Sequence, residues 1–448
     1  MRHFLKGETS VEFSLKKIIP IAAAVLFAGC SFGSSVDSLL TPPKLSVEQK
    51  DVYEALVKSV GNDIRLQYPR AGEYRSAFVF ANIDNEPDDE AIVFYEKSGE
   101  TAGTGNVRIN IIDRSENGEW HSVYDHAGMG TSIERVLFSD IGNSGTTSII
   151  IGYNLLSGEK SAAVYSYHNG ILFSDFSDSY NTMFVTDLNR DSMGELILIR
   201  TETQLRNASL SLISRNAESG LVEETGSIPL DSSATDFVNI ASGYIGTNTP
   251  AIFIDGLSDR QLTTEIIYSV NDTLRNPLYL GESALIENTR RSAGYLCTDI
   301  DLDGIIEIPT LTLFPGHSQD SSDRLYSTNW NIMENYNIVK KYSSFYSIAE
   351  GYCFILPSRW DGVVTARIDS STGDVVFYKF KTDLSNSSTE LMRIAVAEIS
   401  ETQPLLEDGY MTIKSNNNMN YLVKCPALDD EPLILTGTEI SNNFYIMI

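Results

Sequence analysis

Asp299, Asp301 and Asp303 stand at alternate positions in "CTDIDLDGIIEIP" (297–309), with Gly304 in sixth place from the first aspartate and Glu307 in ninth. Alternate carboxylates in a tight loop turn inward together, a glycine in sixth place permits the sharp reversal, and an acid in ninth place closes the shell. Hard cations such as Ca²⁺ take about six to eight oxygens at ~2.3–2.6 Å from a flexible loop of this kind, and the carbonyl of Ile305 would supply one of them. Two other segments carry the same spacing. One offers Asp187, Asn189, Asp191, the Met193 carbonyl and Glu195, with Ser192 in the glycine place. The other offers Asn82, Asp84, Glu86, Asp88 and Glu90, with Pro87 there. "FSDIGNSGTTSIIIGY" around Asp140 and "FVNIASGYIGTNTPAIFI" around Asn239 keep the frame but hold too few acids for a metal, and read as hydrogen-bonded turns.

A metal that does chemistry sits once, with an open coordination position beside a base or nucleophile. A recurrent loop with a closed shell fastens turns instead. The rival signals are weak: His121 and His126 are too irregularly placed for zinc, and His168 and His317 are isolated. Ser157 and Lys160 match S-x-x-K, but in a hairpin turn where a helix should begin. Trp330 and Trp360 could stack sugars, although tryptophan near a strand end more often fills a core.

From Tyr74 onward, short alternating strands are broken by Gly, Asn, Asp and Ser, and the acidic frame recurs about every 50 residues, enough for about four strands per unit. Hairpins such as "AAVYSYHNGILFSDF" turn at His168-Asn169-Gly170. The repeats resemble the FG-GAP/VCBS family, whose blades carry a D-x-D-x-D-G-x-x-[DE] calcium loop. The resemblance covers about 74–345 and implies a mainly β fold, a β-propeller of about five repeats with one to three structural Ca²⁺ ions. Beyond 345 the period is lost. "GYCFILPSRWDGVVTARIDSSTGDVVFYKF" resembles the small α/β, PsbP-like domain of Gram-positive lipoproteins, so 346–448 is expected to be a C-terminal α/β domain or, alternatively, additional blades.

Upstream, 45–62 predicts an amphipathic helix: Ser46 and Gln49 form a capping box, Val52, Ala55, Leu56 and Val60 make one stripe, and Gly61 ends it. Residues 30–44 are rich in Ser, Gly and Pro and read as a tether. Within 1–29, Lys16 and Lys17 precede an apolar run from Ile18 to Ala28, the pattern of a signal peptide. "FAGC" resembles a bacterial lipobox, which implies acylation of Cys30 and attachment by lipid to the outer face of the cell membrane. The remaining cysteines are Cys297, Cys353 and Cys425, so at most one disulfide is expected, between Cys353 and Cys425.

The 448 residues carry a formal charge of −27, which repels phosphate backbones and argues against nucleic-acid binding. The combined expectation is a lipid-anchored extracytoplasmic binding or scaffold protein, calcium-stabilised, with a protein or carbohydrate ligand. The alternative is a polysaccharide-active enzyme with a site at the propeller axis.

Overall fold

The computed structural model describes residues 45–99, 106–115, 117–141, 145–202, 207–271, 273–278, 286–335, 337–428 and 430–447. The expected signal peptide, the tether and Cys30 lie outside them. The first described element is the helix Val47–Val60, opened by the expected capping box: Ser46 Oγ accepts from the Gln49 N–H, and Gln49 Oε1 accepts from the Ser46 N–H, both at 3.1 Å. Gly61, at φ 91°, ends it. Its stripe of Val52, Ala55 and Leu56 is buried in one cluster with Ala91, Val93, Tyr95 and Ile112, and the strands nearest the helix are Trp120–Ala127 and Val107–Arg114.

Among the described residues the rest is mainly β, in six antiparallel sheets. The first holds Ile64–Leu66, Phe78–Ala81, Glu90–Lys97, Val107–Arg114 and Trp120–Ala127. The second runs as a meander through Ser132–Ser139, Ser148–Asn154, Lys160–His168 and Ile171–Tyr180. The third repeats it with Thr182–Thr186, Glu195–Glu202, Asn207–Arg215 and Val222–Pro229. The fourth has Asp236–Ile245, Thr249–Ser258, Gln261–Val270 and Thr273–Arg275, with Arg291–Ser292 added beside the third of these. In the second sheet Asn169 (φ 51°) and Gly170 (φ 78°) make the expected two-residue hairpin turn, both in the left-handed region that this turn requires.

Strand alternation explains how these sheets stack. Ile92 and Phe94 of the first sheet meet Ile149, Ile151 and Tyr153 of the second, while Ile150 faces the other way, onto Leu196 and Leu198 of the third. Ile197 and Ile199 then meet Ile252 and Ile254 of the fourth, whose Ala251 and Phe253 face Ile308 and Met333 of the fifth. Central strands covered on both faces must be apolar on both, which is why "SIIIGY" and "ELILI" are continuous runs. Burying one such side chain stabilises by about 1.5–3 kcal/mol.

The fifth sheet joins Ile308–Leu313, Tyr326–Glu334, Asn337–Ser347, Tyr352–Leu356 and, returning from the far end of the chain, Phe444–Ile446. The sixth comprises Val364–Ile368, Val375–Lys379, Glu390–Glu398, Met419–Lys424 and Met411–Asn416. Position 345, where a boundary was expected, falls inside the strand Asn337–Ser347. One cluster unites both sides of it: Phe314, upstream, belongs to the same cluster as Phe345, Tyr352, Phe354, Trp360, Phe377 and Phe444. Cys353, Cys425 and Cys297 are all free thiols. Alternation explains why the expected disulfide is missing: Cys353 points with Ile355 toward Trp330, whereas Cys425 packs on the opposite cluster.

Candidate functional site

The acidic frames lie between the second and third strands of sheet one, between the first and second strands of sheets two and three, and just before the first strand of sheet five. Three of them close in the same way. The ninth-place glutamate is buried and accepts the N–H of the second residue: Glu90 from Ile83 at 2.9 Å, Glu195 from Leu188 at 2.8 Å, Glu307 from Ile300 at 3.0 Å. The first residue caps the turn from the other side. Asp187 accepts from the N–H of Arg190 (2.6 Å) and Ser192 (3.0 Å), Asp299 from that of Asp303 (3.1 Å) and Gly304 (2.7 Å), and Asn82 from that of Asn85 (2.8 Å). The fifth residue caps the seventh: Asp191 accepts from Met193 and Asp303 from Ile305, each at 2.8 Å.

The sixth place behaves as its residue type demands. Gly304 has φ 87° and Ser192 is held at φ 68°, a left-handed conformation that costs a non-glycine residue about 1–2 kcal/mol. Pro87 has φ locked negative and cannot follow. Asp187, Asp191 and Glu195 bring carboxylate oxygens within 4.8 Å of one another, as do Asp299, Asp301 and Glu307. Among the described residues, the acids of the first frame (Asp84, Glu86, Asp88, Glu90) form no such group, and Glu86 and Asp88 are exposed. The fourth frame has no loop at all: Asn239 and Gly243 sit inside the strand Asp236–Ile245.

The two convergent groups differ in one decisive respect. In the fifth frame the ammonium of Lys341 lies 2.9 Å from Asp301, 2.7 Å from Asp303 and 2.8 Å from Glu307. Tyr342 donates to Asp301 at 2.8 Å, while Asp301 Oδ1 is buried without a partner. Partial burial pulls Lys341 down, but its three carboxylates outweigh that and hold it well above the ordinary lysine range. Burial pulls Asp301 up, and Lys341 with Tyr342 brings it net below the ordinary carboxylate value. The position a cation would take is filled by the protein's own amine. Lys341 and Tyr342 are strand residues 34 or more positions from the acids they meet, and no motif in the sequence marks them.

Among the described residues, the third frame has no such counter-ion. Burial, reinforced by Asp191 and Asp187, pushes Glu195 up to about 7 against the N–H of Leu188. Its donors are all oxygen, the set a hard cation prefers, and Asn189 Oδ1 already faces the turn through the Asp191 N–H at 2.9 Å. Asp187, Asp191 and Glu195, with Asn189 and the Met193 carbonyl beside them, could hold a metal ion there, and a cation would supply the positive charge that Lys341 supplies in the fifth frame. Asn189, Asp191, Met193 and Glu195 also border a cavity of about 680 Å³ that continues to Arg215 and Asn216.

The frames touch one another along one rim. Gly194 donates to the Asp140 carbonyl at 2.8 Å, and Tyr244 donates through its backbone to the Gly304 carbonyl at 2.9 Å. Arg190 of the third frame lies 5.5 Å above the ring of Tyr244. A second network missed by sequence reasoning anchors the fifth frame: fully buried Arg291 and Asp255 pair at 2.6 Å, and Asp255 also accepts from the Cys297 N–H at 2.8 Å and from Asn239 at 3.0 Å. Burial pulls Asp255 up, and these partners bring it net below the ordinary carboxylate range.

Four of the other residues weighed as catalytic signals have partners within the fold. Trp330 and Trp360 are buried, with Nε1 donating to Ser344 Oγ and the Leu433 carbonyl, each at 2.8 Å. Lys160 pairs with Glu134 at 3.1 Å, and His317 is hydrogen-bonded through both nitrogens, to the Ala366 carbonyl and the Leu325 N–H.

No protein-family model and no curated protein matches the chain. Among solved structures it is similar to a rhamnogalacturonan lyase at 12% identity and TM-score 0.32, covering 73% of this chain and 76% of that one. A Bacillus licheniformis rhamnogalacturonan lyase gives 11% and 0.31, covering 70% and 74%. A periplasmic gluconolactonase of Pseudomonas aeruginosa gives 11% and 0.27, covering 72% and 86%. Likeness at this level carries no argument about activity.

Proposed function

We propose that this protein is a non-enzymatic binding or scaffold protein of the cell exterior, held to the membrane by lipid on Cys30, with its sheets arranged as propeller blades. One structural Ca²⁺ ion belongs to it, in the third frame. The observation that carries the reading is the hydrogen-bond closure repeated at Glu90, Glu195 and Glu307: these acids hold turns, and among the described residues only those of the third frame converge without a built-in cation. The propeller reading is supported by consecutive meander sheets that share cores pairwise in chain order, with the acidic frames along one rim.

Calcium titration against thermal unfolding tests this. At a hundredfold excess over Kd one ion stabilises by about 2.7 kcal/mol. Asp191→Ala should abolish the calcium-dependent rise in Tm, and Asp303→Ala should leave it. Equal melts in calcium and in chelator would remove the ion from the reading. For the anchor, Cys30→Ala should shift the expressed protein from the membrane fraction to the soluble one; retention after a high-salt wash would refute it.

A further inference from the structure

The face of the fifth sheet that meets the sixth is divided in two. Phe345, Tyr352 and Phe354 are buried in the core that the two sheets share. Ser343 stands two residues before Phe345 on the same strand, hence on the same face, and there the face turns polar. Ser343 Oγ donates to Asn329 Oδ1 at 3.0 Å, and Asn329 Nδ2 donates to Thr312 Oγ1 at 2.7 Å, a row across three neighbouring strands. Ser343 and Asn329 are half-buried and Thr312 is exposed, so this row is open to solvent.

The row borders a cavity of about 660 Å³, which the turn at 357–362 leading into the sixth sheet borders as well. That turn is fixed from behind: buried Trp360 donates through Nε1 to the Leu433 carbonyl at 2.8 Å, and Arg359 pairs with Glu439 at 2.7 Å. Half-buried Leu313, Leu356 and Pro357 supply the apolar part of the lining, Leu356 as the cross-strand partner of Ser343. In a chain of net charge −27 the lining is balanced. Among the described residues its one acid, Asp361, pairs with Lys340 at 3.0 Å, and the amine of Lys341 is committed to the fifth frame.

We propose that this cavity is a binding site for a short neutral saccharide, with Asn329 as its central polar contact. A side-chain amide has two hydrogens and two lone pairs, and Asn329 has spent one of each on Thr312 and Ser343. Adjacent sugar hydroxyls donate and accept in turn, so a pair of them matches the hydrogen and lone pair that remain. The C–H face of the ring suits Leu313, Leu356 and Pro357, and the volume lies within the range of small-molecule sites. Charge excludes the alternatives: an acidic ligand would compete with Asp361 for Lys340, and a cationic one with Lys340 for Asp361. The site is separate from the third frame and does not rest on its cation.

The test is isothermal titration of the whole protein with chelator present, using cellobiose, maltose and lactose as neutral probes and glycerol and digalacturonate as comparisons. At least one disaccharide should bind saturably with Kd below about 1 mM, and about tenfold or more tighter than either comparison. Asn329→Asp keeps the shape of the side chain and can accept from both neighbouring hydroxyls, but it loses the spare N–H. It should weaken the sugar about tenfold with little change in Tm. Thr312→Val, at an exposed position, removes the acceptor that orients the amide and should weaken binding severalfold. Asp191→Ala should bind as wild type, which keeps this site distinct from the third frame. Absence of saturable binding by all three disaccharides overturns the site, because a sheet face that only meets water gives none. Affinity unchanged in both Asn329→Asp and Thr312→Val places the sugar elsewhere and overturns it too. Digalacturonate binding as tightly overturns the neutral assignment, and glycerol binding as tightly overturns the role of the ring.

Discussion

The ammonium of Lys341 lies 2.8 Å from Glu307 Oε1, inside a loop whose spacing is that of a calcium site. Glu307 is fully buried and Lys341 largely so, and removing one partner of such a pair strands the other at a cost of about 3–5 kcal/mol.

Lys341→Met is therefore expected to destabilise the protein by about that amount in chelator. Calcium should restore most of the loss, because Asp299, Asp301, Asp303 and Glu307 then face one another without a cation. Direct calcium binding should rise from one ion to two. A variant whose melt ignores calcium would show that the fifth frame is built for the lysine alone.

The pH dependence of stability should follow the buried acids. Burial pushes Glu265 up to about 7, beyond what the Asp231 N–H and Asn276 can offset. A carboxyl raised in the fold favours its neutral form there, so its contribution is full below the unfolded value near 4.5 and is lost as pH rises through about 7. Glu265→Gln should remove about 2–3 kcal/mol of the decline in stability between about pH 5 and 8. Glu90 and Glu195 titrate upward in the same sense and leave a residual slope, the Glu195 part of which calcium should suppress. Chemical denaturation at several pH values decides it; parallel wild-type and variant curves would contradict the assignment.

Cutting the chain after Ser344 should not yield two folded pieces. The break falls within a strand and parts Phe345, Tyr352 and Phe354 from the sheet they complete, so 45–344 presents an unpaired edge and an apolar face. Aggregation of that fragment and non-cooperative melting of 346–448 are the expected results by size exclusion and calorimetry. Two soluble, cooperatively melting fragments would restore the independent C-terminal domain.

Much of this was legible in the chain. The capping box at Ser46 and Gln49, the Asn169-Gly170 turn and the acid spacing of Asp187–Glu195 and Asp299–Glu307 each depend on residues within nine positions of one another. Capping, turn sterics and glycine's freedom act at that range, so type and spacing are sufficient to read them. Even the misfit was visible: Pro87 breaks the first frame for a reason proline carries anywhere.

The sequence by itself therefore determined the repeated frame, its turns and the two-faced apolar strands. Only the tertiary structure decided that Lys341 answers Glu307, that Arg291 neutralises Asp255, and that Phe444–Ile446 returns to Tyr352–Leu356. Each of these depends on which strands become neighbours. That choice follows from burial summed over whole sheets, and a side chain's charge does not name its partner until the strands beside it are in place.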